Sequence, residues 1–309
     1  MKILITGSQG YIAKNLAKKL SEKNFFCYGI GRGNWKRSDF KKWGYIKNIS
    51  GNINNKSLKQ FKDVKFDYVV HLAGGLSPNA SILKSVAKIK DFEKNVLSTR
   101  NILRYLITKN IKSKFIFLSS ISVFGNNKLK KLEENSKILP ISTYAKNKLK
   151  AEKLCLDYNK KFNIDVLILR GTSIFGPGLN RQIIHDVCEK IQSNNNVFFG
   201  SGEEERDFLY INDMCDFIQK VIKKGFTGLE IINVGTGKGT KIKKIISYIN
   251  YKLGGRLKPK FNKLGLNINP NRLIPNIKKT LKYKWKPKVS LYKGIDNYIK
   301  WFLKKNKND

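Results

Sequence analysis

Residues 2–13, Lys2-Ile3-Leu4-Ile5-Thr6-Gly7-Ser8-Gln9-Gly10-Tyr11-Ile12-Ala13, pass from an apolar stretch through two glycines into a helical pattern. A strand, a glycine loop and a helix in that order make a phosphate-binding turn. The glycines let the backbone turn tightly and approach a ligand, and the first helical turn offers free N–H groups to a pyrophosphate. Gly7 and Gly10 take the glycine positions, with Gln9, Tyr11 and Ile12 beside them. Ala13, where a third glycine is often found, is small enough for the helix to pack on the strand. These twelve residues predict the opening of a dinucleotide-binding βαβ unit.

Working outward, apolar runs at 2–6, 25–30, 68–72, 115–119 and 165–170 read as strands. Between them, apolar residues recur at three and four over 11–23, 89–110 and 144–162, the period of helices. Strands alternating with helices imply an α/β fold, a Rossmann-type doubly wound parallel sheet. After Arg170 the alternation fades into Phe175-Gly176-Pro177-Gly178, a helix, a polar loop and short strands. The expected division is a dinucleotide-binding domain over 1–170, with segments returning near 206–236, and a smaller interlaced C-terminal substrate-binding region over 171–309.

The end of the second predicted strand bears on the cofactor. A fold that prefers NAD places Asp or Glu there to bind the ribose 2′-hydroxyl, whereas this chain has Gly31-Arg32-Gly33. A guanidinium suits a 2′-phosphate. The expectation is NADP(H), with NAD(H) as the alternative should Arg32 only face solvent.

Composition narrows the remaining classes. The chain of 309 residues is 41% hydrophobic, enough for a large core, and its longest apolar runs fall well short of the roughly 20 residues that cross a bilayer. The N-terminus enters the first strand without a signal-peptide h-region, so the expected location is the cytoplasm and no membrane partner is expected. Cys27, Cys155, Cys188 and Cys215 are scattered with no C-x-x-C pair, which argues for buried thiols and against a metal or redox site. The net charge of +40, from 62 basic and 22 acidic residues, is spread along the chain and accompanies abundant asparagine. With no nucleic-acid-binding motif, it reads as a solvated lysine surface that attracts a phosphate-bearing substrate.

Tyr144-Ala145-Lys146-Asn147-Lys148 places a phenol and an ammonium on one helical face, a turn apart. A neighbouring cation favours the phenolate and fits the tyrosine for acid/base work on an alcohol or ketone.

With these features the sequence resembles the extended short-chain dehydrogenases, the NAD-dependent epimerase/dehydratase family that modifies nucleotide sugars. The resemblance runs nearly end to end. It rests on Thr6-Gly7 with Gly10, Gly51-Asn52-Ile53, His71-Leu72-Ala73-Gly74, Asn95-Val96 with Thr99, and Ser119-Ser120-Ile121-Ser122-Val123-Phe124-Gly125. Leu169-Arg170, Phe175-Gly176-Pro177-Gly178, Arg206-Asp207-Phe208, Asn233-Val234-Gly235 and Trp285-Lys286-Pro287 continue it. The resemblance implies that Ser120 hydrogen-bonds the reacting sugar oxygen, that Tyr144 is the acid/base, and that Lys148 holds the nicotinamide ribose and tunes the phenol. Asn52, Ile53, Leu72, Ala73 and Gly74 would line the cofactor. Arg206 would grip the substrate diphosphate, its alternative being a salt bridge with Glu203, Glu204 or Glu205, and Ser173 stands where an asparagine usually meets substrate phosphate.

Departures from the family pattern narrow the activity. The Asp-Glu pair that drives dehydration is replaced by Ile121-Ser122, so dehydration is not expected. Gly74-Gly75-Leu76-Ser77 departs from the usual small-residue ending and bears on the sugar pocket. The leading expectation is NADPH-dependent reduction of the 4-keto group of a nucleotide-activated deoxysugar. The alternative is an NAD-dependent nucleotide-sugar 4-epimerase, and a remote one is a non-catalytic NADP-sensing protein. In related enzymes the Tyr-Lys helix packs in a dimer, which implies a homodimer.

Overall fold

The computed structural model describes residues 1–75, 85–108, 112–264 and 269–306, with the side chains of 85–88 left aside. Leu76 and Ser77, and the end of the predicted helix at 109–110, lie outside the described residues.

Seven parallel strands form the main sheet. They are β1 (Lys2–Thr6), β2 (Phe26–Gly31), β3 (Tyr45–Ser50), β4 (Tyr68–His71), β5 (Lys114–Ser120), β6 (Val166–Gly171) and a last strand, Leu229–Val234. Their order is the last strand, β6, β5, β4, β1, β2, β3. The chain builds outward from β1 to β3, then crosses back to β4 on the other side of β1. The carboxyl ends of β1 and β4 therefore flank the point where the winding reverses, the place where open α/β sheets bind ligands. Register puts Thr6 beside His71 and Ile30 beside Thr6, so all three strands end level.

Burial explains which strands the sequence announces. Ile3, Leu4 and Ile5 in β1, all four residues of β4 and all six of β6 are buried, as strands covered on both faces must be. β3 is a strand the apolar runs miss. It is one edge of the sheet, and only Tyr45 and Ile49 turn to the core while Ile46, Lys47 and Ser50 face out; the strand at the other edge, Leu229–Val234, lies outside those apolar runs as well.

The segment read as one helix over 89–110 is broken. An α-helix at Ser85–Phe92 runs into a π-turn at Glu93–Leu97 and resumes as Ser98–Thr108. A π-turn leaves the 3.6-residue period nearly intact, so periodicity does not reveal it. The helix Tyr11–Ser21 follows β1 directly, and the helix Thr143–Phe162 precedes β6.

The chain divides into two compact units. The first comprises Met1–Val123, Ser142–Arg170 and Cys215–Ile232, and the second Phe124–Ile141, Gly171–Met214 and Asn233–Asp309. In the second, Glu205–Arg206 pairs with Thr240–Lys241 on one side and Arg272–Leu273 on the other, and Ser173–Phe175 pairs with Phe208–Tyr210. All four cysteines are free and buried. Among the described residues no helix is long and apolar enough to cross a membrane, and no group of His, Cys, Asp and Glu is arranged to hold a metal.

Candidate functional site

The loop after β1 has the build of a phosphate cradle. Gly7 has φ +68, and a Cβ there would lie 2.9 Å from the backbone of Ala73. Gly10 N–H donates to Gly7 O at 2.7 Å, closing the turn. Gly10 then caps the helix Tyr11–Ser21 with no side-chain cap hydrogen bond and no acidic residue in the first turn. The positive end of the helix dipole at such a start suits an anion. The residues present thus fit a dinucleotide pyrophosphate.

Gln9 leans the other way. Its Nε2 donates to Gly33 O at 2.9 Å and ties the loop to the turn after β2. A Cβ on Gly31 would fall 1.9 Å from Gln9 Oε1, so a side chain there would displace the Gln9 amide from its present place. Arg32, between these glycines, is exposed. At the end of β3, Asn52 is exposed, while Ile53 is buried with its carbonyl accepting from Asn101 Nδ2 at 2.8 Å.

Behind the loop, a buried hydrogen-bond chain joins β1, β4 and the π-turn. Thr99 Oγ1 donates to Asn95 O at 2.7 Å, so it must accept from His71 Nε2 at 3.0 Å. His71 Nδ1 then accepts from Thr6 Oγ1 at 2.7 Å, and Thr6 Oγ1 in turn accepts from Ala73 N–H at 3.1 Å. This assigns one neutral tautomer. Complete burial, followed by the Lys148 charge, lowers the His71 pKa to about 3.

Asn95 completes the chain. Its Oδ1 accepts from Gly75 N–H at 3.1 Å, and its Nδ2 donates to Gly75 O at 3.3 Å and to Asp91 O at 2.8 Å. A Cβ on Gly74 would lie 2.6 Å from Asn95 Oδ1 and 3.2 Å from Lys148 Nζ. Gly74 thereby lies against the Lys148 ammonium.

Ser120, Tyr144 and Lys148 all belong to this first unit. Ser142 caps the helix Thr143–Phe162 by accepting from Ala145 N–H at 3.1 Å, which starts the helix one residue before Tyr144. Lys148, only 4% exposed, donates to Leu118 O on β5 at 2.8 Å. Its ammonium is 4.9 Å from the Phe117 ring centre and 6.0 Å from that of Tyr144. Burial lowers the ammonium pKa to about 8, opposed by the Glu152 carboxylate. Two residues further along β5, Ser120 Oγ accepts from Ser122 N–H at 3.2 Å and from Ser122 Oγ at 2.9 Å. With both donors directed at its oxygen, the Ser120 hydroxyl proton is free to reach an outside acceptor.

Two buried charges support this group, Arg170 from the Leu169-Arg170 match and Glu152, which none of the motifs includes. Glu152 Oε1 accepts from Ser119 Oγ at 2.5 Å and from Arg170 Nε at 3.1 Å, and Glu152 Oε2 accepts from Arg170 Nη2 at 2.8 Å. The signal was available, because Tyr144, Lys148 and Glu152 follow one another at every fourth residue and so share one helical stripe.

Ser173 and Arg206 belong to the second unit. Ser173 N–H donates to Asp207 O at 3.2 Å. Arg206 is not the salt bridge considered as its alternative. Glu203 pairs with Lys241 and Lys243, Glu204 accepts from Ser201, and Glu205 pairs with Arg272 at 2.5 Å. The Arg206 guanidinium donates instead to the carbonyls of Glu205 and Asn271, at 3.0 and 3.4 Å. Burial lowers its pKa to about 10, opposed by Glu204. A half-buried guanidinium that, among the described residues, meets neutral carbonyl oxygens has capacity left for an anion. Arg272, one strand away and register-paired with Glu205, is a second cation that the sequence reading passed over.

Comparison with known proteins follows the same outline. The profile of the "NAD dependent epimerase/dehydratase family" matches residues 3–235. A Methanocaldococcus jannaschii protein provisionally named UDP-glucose 4-epimerase is 29% identical over 321 aligned residues, covering 99% of this chain and 99% of that protein. The UDP-glucuronate 4-epimerase of Thermodesulfobacterium geofontis is 26% identical over 315, covering 96% of this chain and 95% of that one. A solved variant of a Bacillus cereus UDP-glucuronic acid 4-epimerase, in complex with UDP-4-deoxy-4-fluoro-glucuronic acid and NAD, superposes with a TM-score of 0.87 at 27% identity, over 98% of this chain and 99% of that one.

Proposed function

This chain belongs to the NAD-dependent epimerase/dehydratase family, and from that premise we propose that it is a nucleotide-sugar 4-epimerase, inverting C4 of a UDP-linked hexose or hexuronate with NAD retained through the cycle. The observation that carries the reading is the buried Lys148, one helical turn from Tyr144 and bonded to Leu118 two residues before Ser120 on β5, in a chain that two relatives named 4-epimerases match nearly end to end. The reductase expected from the sequence gives way on this point. No relative reported above carries a reductase name, and the Bacillus cereus neighbour holds NAD. The second reading, an NADPH-dependent 4-ketoreductase, retains one specific support in Arg32 at the end of a second strand that lacks a carboxylate.

Each role follows from the chemistry of the residue. The turn from Gly7 to Ile12 would hold the pyrophosphate of the dinucleotide, and Asn52, Ile53, Leu72, Ala73 and Gly74 would line its adenosine and nicotinamide ends. When bound, the nicotinamide supplies the hydride acceptor and donor for C4. Tyr144, as phenolate, takes the proton of the 4-hydroxyl and later returns it to the opposite face product. Lys148 favours that phenolate by its charge. Ser120 donates to the same sugar oxygen and steadies it as it becomes a ketone and returns to an alcohol. Arg206 pairs with the diphosphate, with Ser173 alongside.

The test is incubation of the protein with UDP-glucose, UDP-glucuronate and UDP-N-acetylglucosamine, without added cofactor, followed by proton NMR of the sugar. Appearance of the 4-epimer without net change in nicotinamide absorbance is expected. The Tyr144→Phe variant should lose about 100- to 10,000-fold in turnover while still binding the nucleotide sugar. Stoichiometric oxidation of added NADPH by a 4-keto sugar, with no epimerisation, would favour the reductase.

A further inference from the structure

Glu152 and Arg170 take no part in the reaction as described, yet they are 1% and 4% exposed and lie directly behind it. Burying an ion pair strips both charges of their hydration, so stability alone is a weak reason for one here. The placement of its partners gives a better one. Three consecutive residues close β5, and each is engaged differently. Leu118 O holds the Lys148 ammonium, Ser119 Oγ holds the Glu152 carboxylate, and Ser120 is left for substrate. The helix Thr143–Phe162 is thus tied to the strand end at two points one turn apart.

We propose that Glu152, clamped by Arg170, is a positioning residue: it docks the Tyr144–Lys148 helix onto the end of β5 and sustains the positive charge of Lys148, so that Tyr144 and Ser120 address one substrate oxygen. The inference rests on the function proposed above. A wholly buried ammonium loses part of its preference for the charged state, and the groups facing Lys148 decide how much it keeps. From its own helix these are Glu152, Cys155 and Tyr144, and from β4 the neutral His71. Asp91, buried on the neighbouring helix Ser85–Phe92, is common to every variant below. Glu152 favours the charged form, and Arg170 on β6 moderates Glu152.

The two members of the pair therefore have opposite signs, which mere loosening of the structure would not produce. Glu152→Gln keeps the shape and an acceptor for Ser119 but removes the charge, and should move the alkaline limb of the epimerisation profile down by about one pH unit. Arg170→Gln frees the full field of Glu152 and should move that limb up. Glu152→Asp, which keeps the charge, should leave the limb in place. Ser119→Ala removes one tie and no charge; it should lower kcat several-fold with KM and the limb unchanged.

The same Lys148 charge is to be read without turnover, by 15N NMR titration of its side chain in the NAD-loaded protein, beside a melting curve for each variant. Opposite shifts for the two glutamine variants support the proposal. Shifts of one sign, or none, in proteins that melt like the wild type overturn it. If Glu152→Gln does not fold, the upward shift in Arg170→Gln and the kcat loss in Ser119→Ala decide. A wild type that does not epimerise but shows the opposite NMR shifts would sink the function alone, and one that epimerises without them would sink the positioning role alone.

Discussion

At the scale of single residues, the sequence reveals those side chains whose chemistry dictates both type and spacing. Tyr144 and Lys148 are legible because a phenol tuned by a cation needs one helical turn between them, and Ser120 through its place in a run that matches the family. Glu152–Arg170 and Thr6–His71–Thr99 are harder to read, because strand register joins residues as far apart as Thr6 and His71, 65 positions. His71 yields a prediction of its own. Folding lowers its pKa from 6.5 to about 3, so between those values the unfolded chain holds the extra proton. Its contribution to stability is complete above about pH 6.5 and is lost as pH falls toward 3, amounting to about 2 kcal/mol between pH 7 and 5. Denaturant unfolding at a series of pH values should show the wild type weakening over that range, with a His71→Asn variant less stable at pH 7 but flatter below it. Equal slopes in the two proteins would show that His71 is not the group responsible.

At the scale of elements, the inner strands are legible and the two edges, β3 and Leu229–Val234, are not. β1, β4 and β6 are covered on both faces and read as continuous apolar runs, whereas β3 needs only Tyr45 and Ile49 inward and carries Lys47 and Asn48 in its middle. The π-turn at Glu93–Leu97 escaped notice for another reason: one extra residue in a turn barely disturbs the apolar period, yet it brings Asn95 to Gly75. The start of the helix Thr143–Phe162 belongs to this scale as well. Only the Ser142 side chain caps it, two residues ahead of Tyr144. A Ser142→Ala change should cost about 1 kcal/mol and fray the first turn. Because Lys148 stays anchored to Leu118, the loss should appear in kcat more than in nucleotide-sugar affinity. Steady-state kinetics with a parallel melting curve checks this, and an unchanged kcat would mean that the tie between Lys148 and Leu118 alone fixes Tyr144.

At the scale of the whole molecule, the charge of +40 is the largest feature that no individual residue explains. The lysines are spread through both units, and the acids are outnumbered 62 to 22, so the surface field is positive on average and does not depend on one patch. A nucleotide sugar carries two negative charges on its diphosphate, and under the proposed function it would be drawn toward such a field before it meets Arg206. Screening sets the range of that attraction, about 10 Å at 0.1 M salt and about 3 Å at 1 M. Encounter should therefore weaken with salt, while the chemistry of Tyr144 and the buried Lys148 should not. Raising sodium chloride from about 0.05 to 0.5 M is expected to reduce kcat/KM several-fold, through KM, at nearly constant kcat. Replacing Arg206 with Gln should lower kcat/KM at every salt concentration and leave the slope against salt nearly as steep, since one charge in so many contributes little to the long-range field. A flat response in the wild type would make the lysines a solvated coat without kinetic effect. A slope that disappears with Arg206 would place the whole attraction in that one guanidinium.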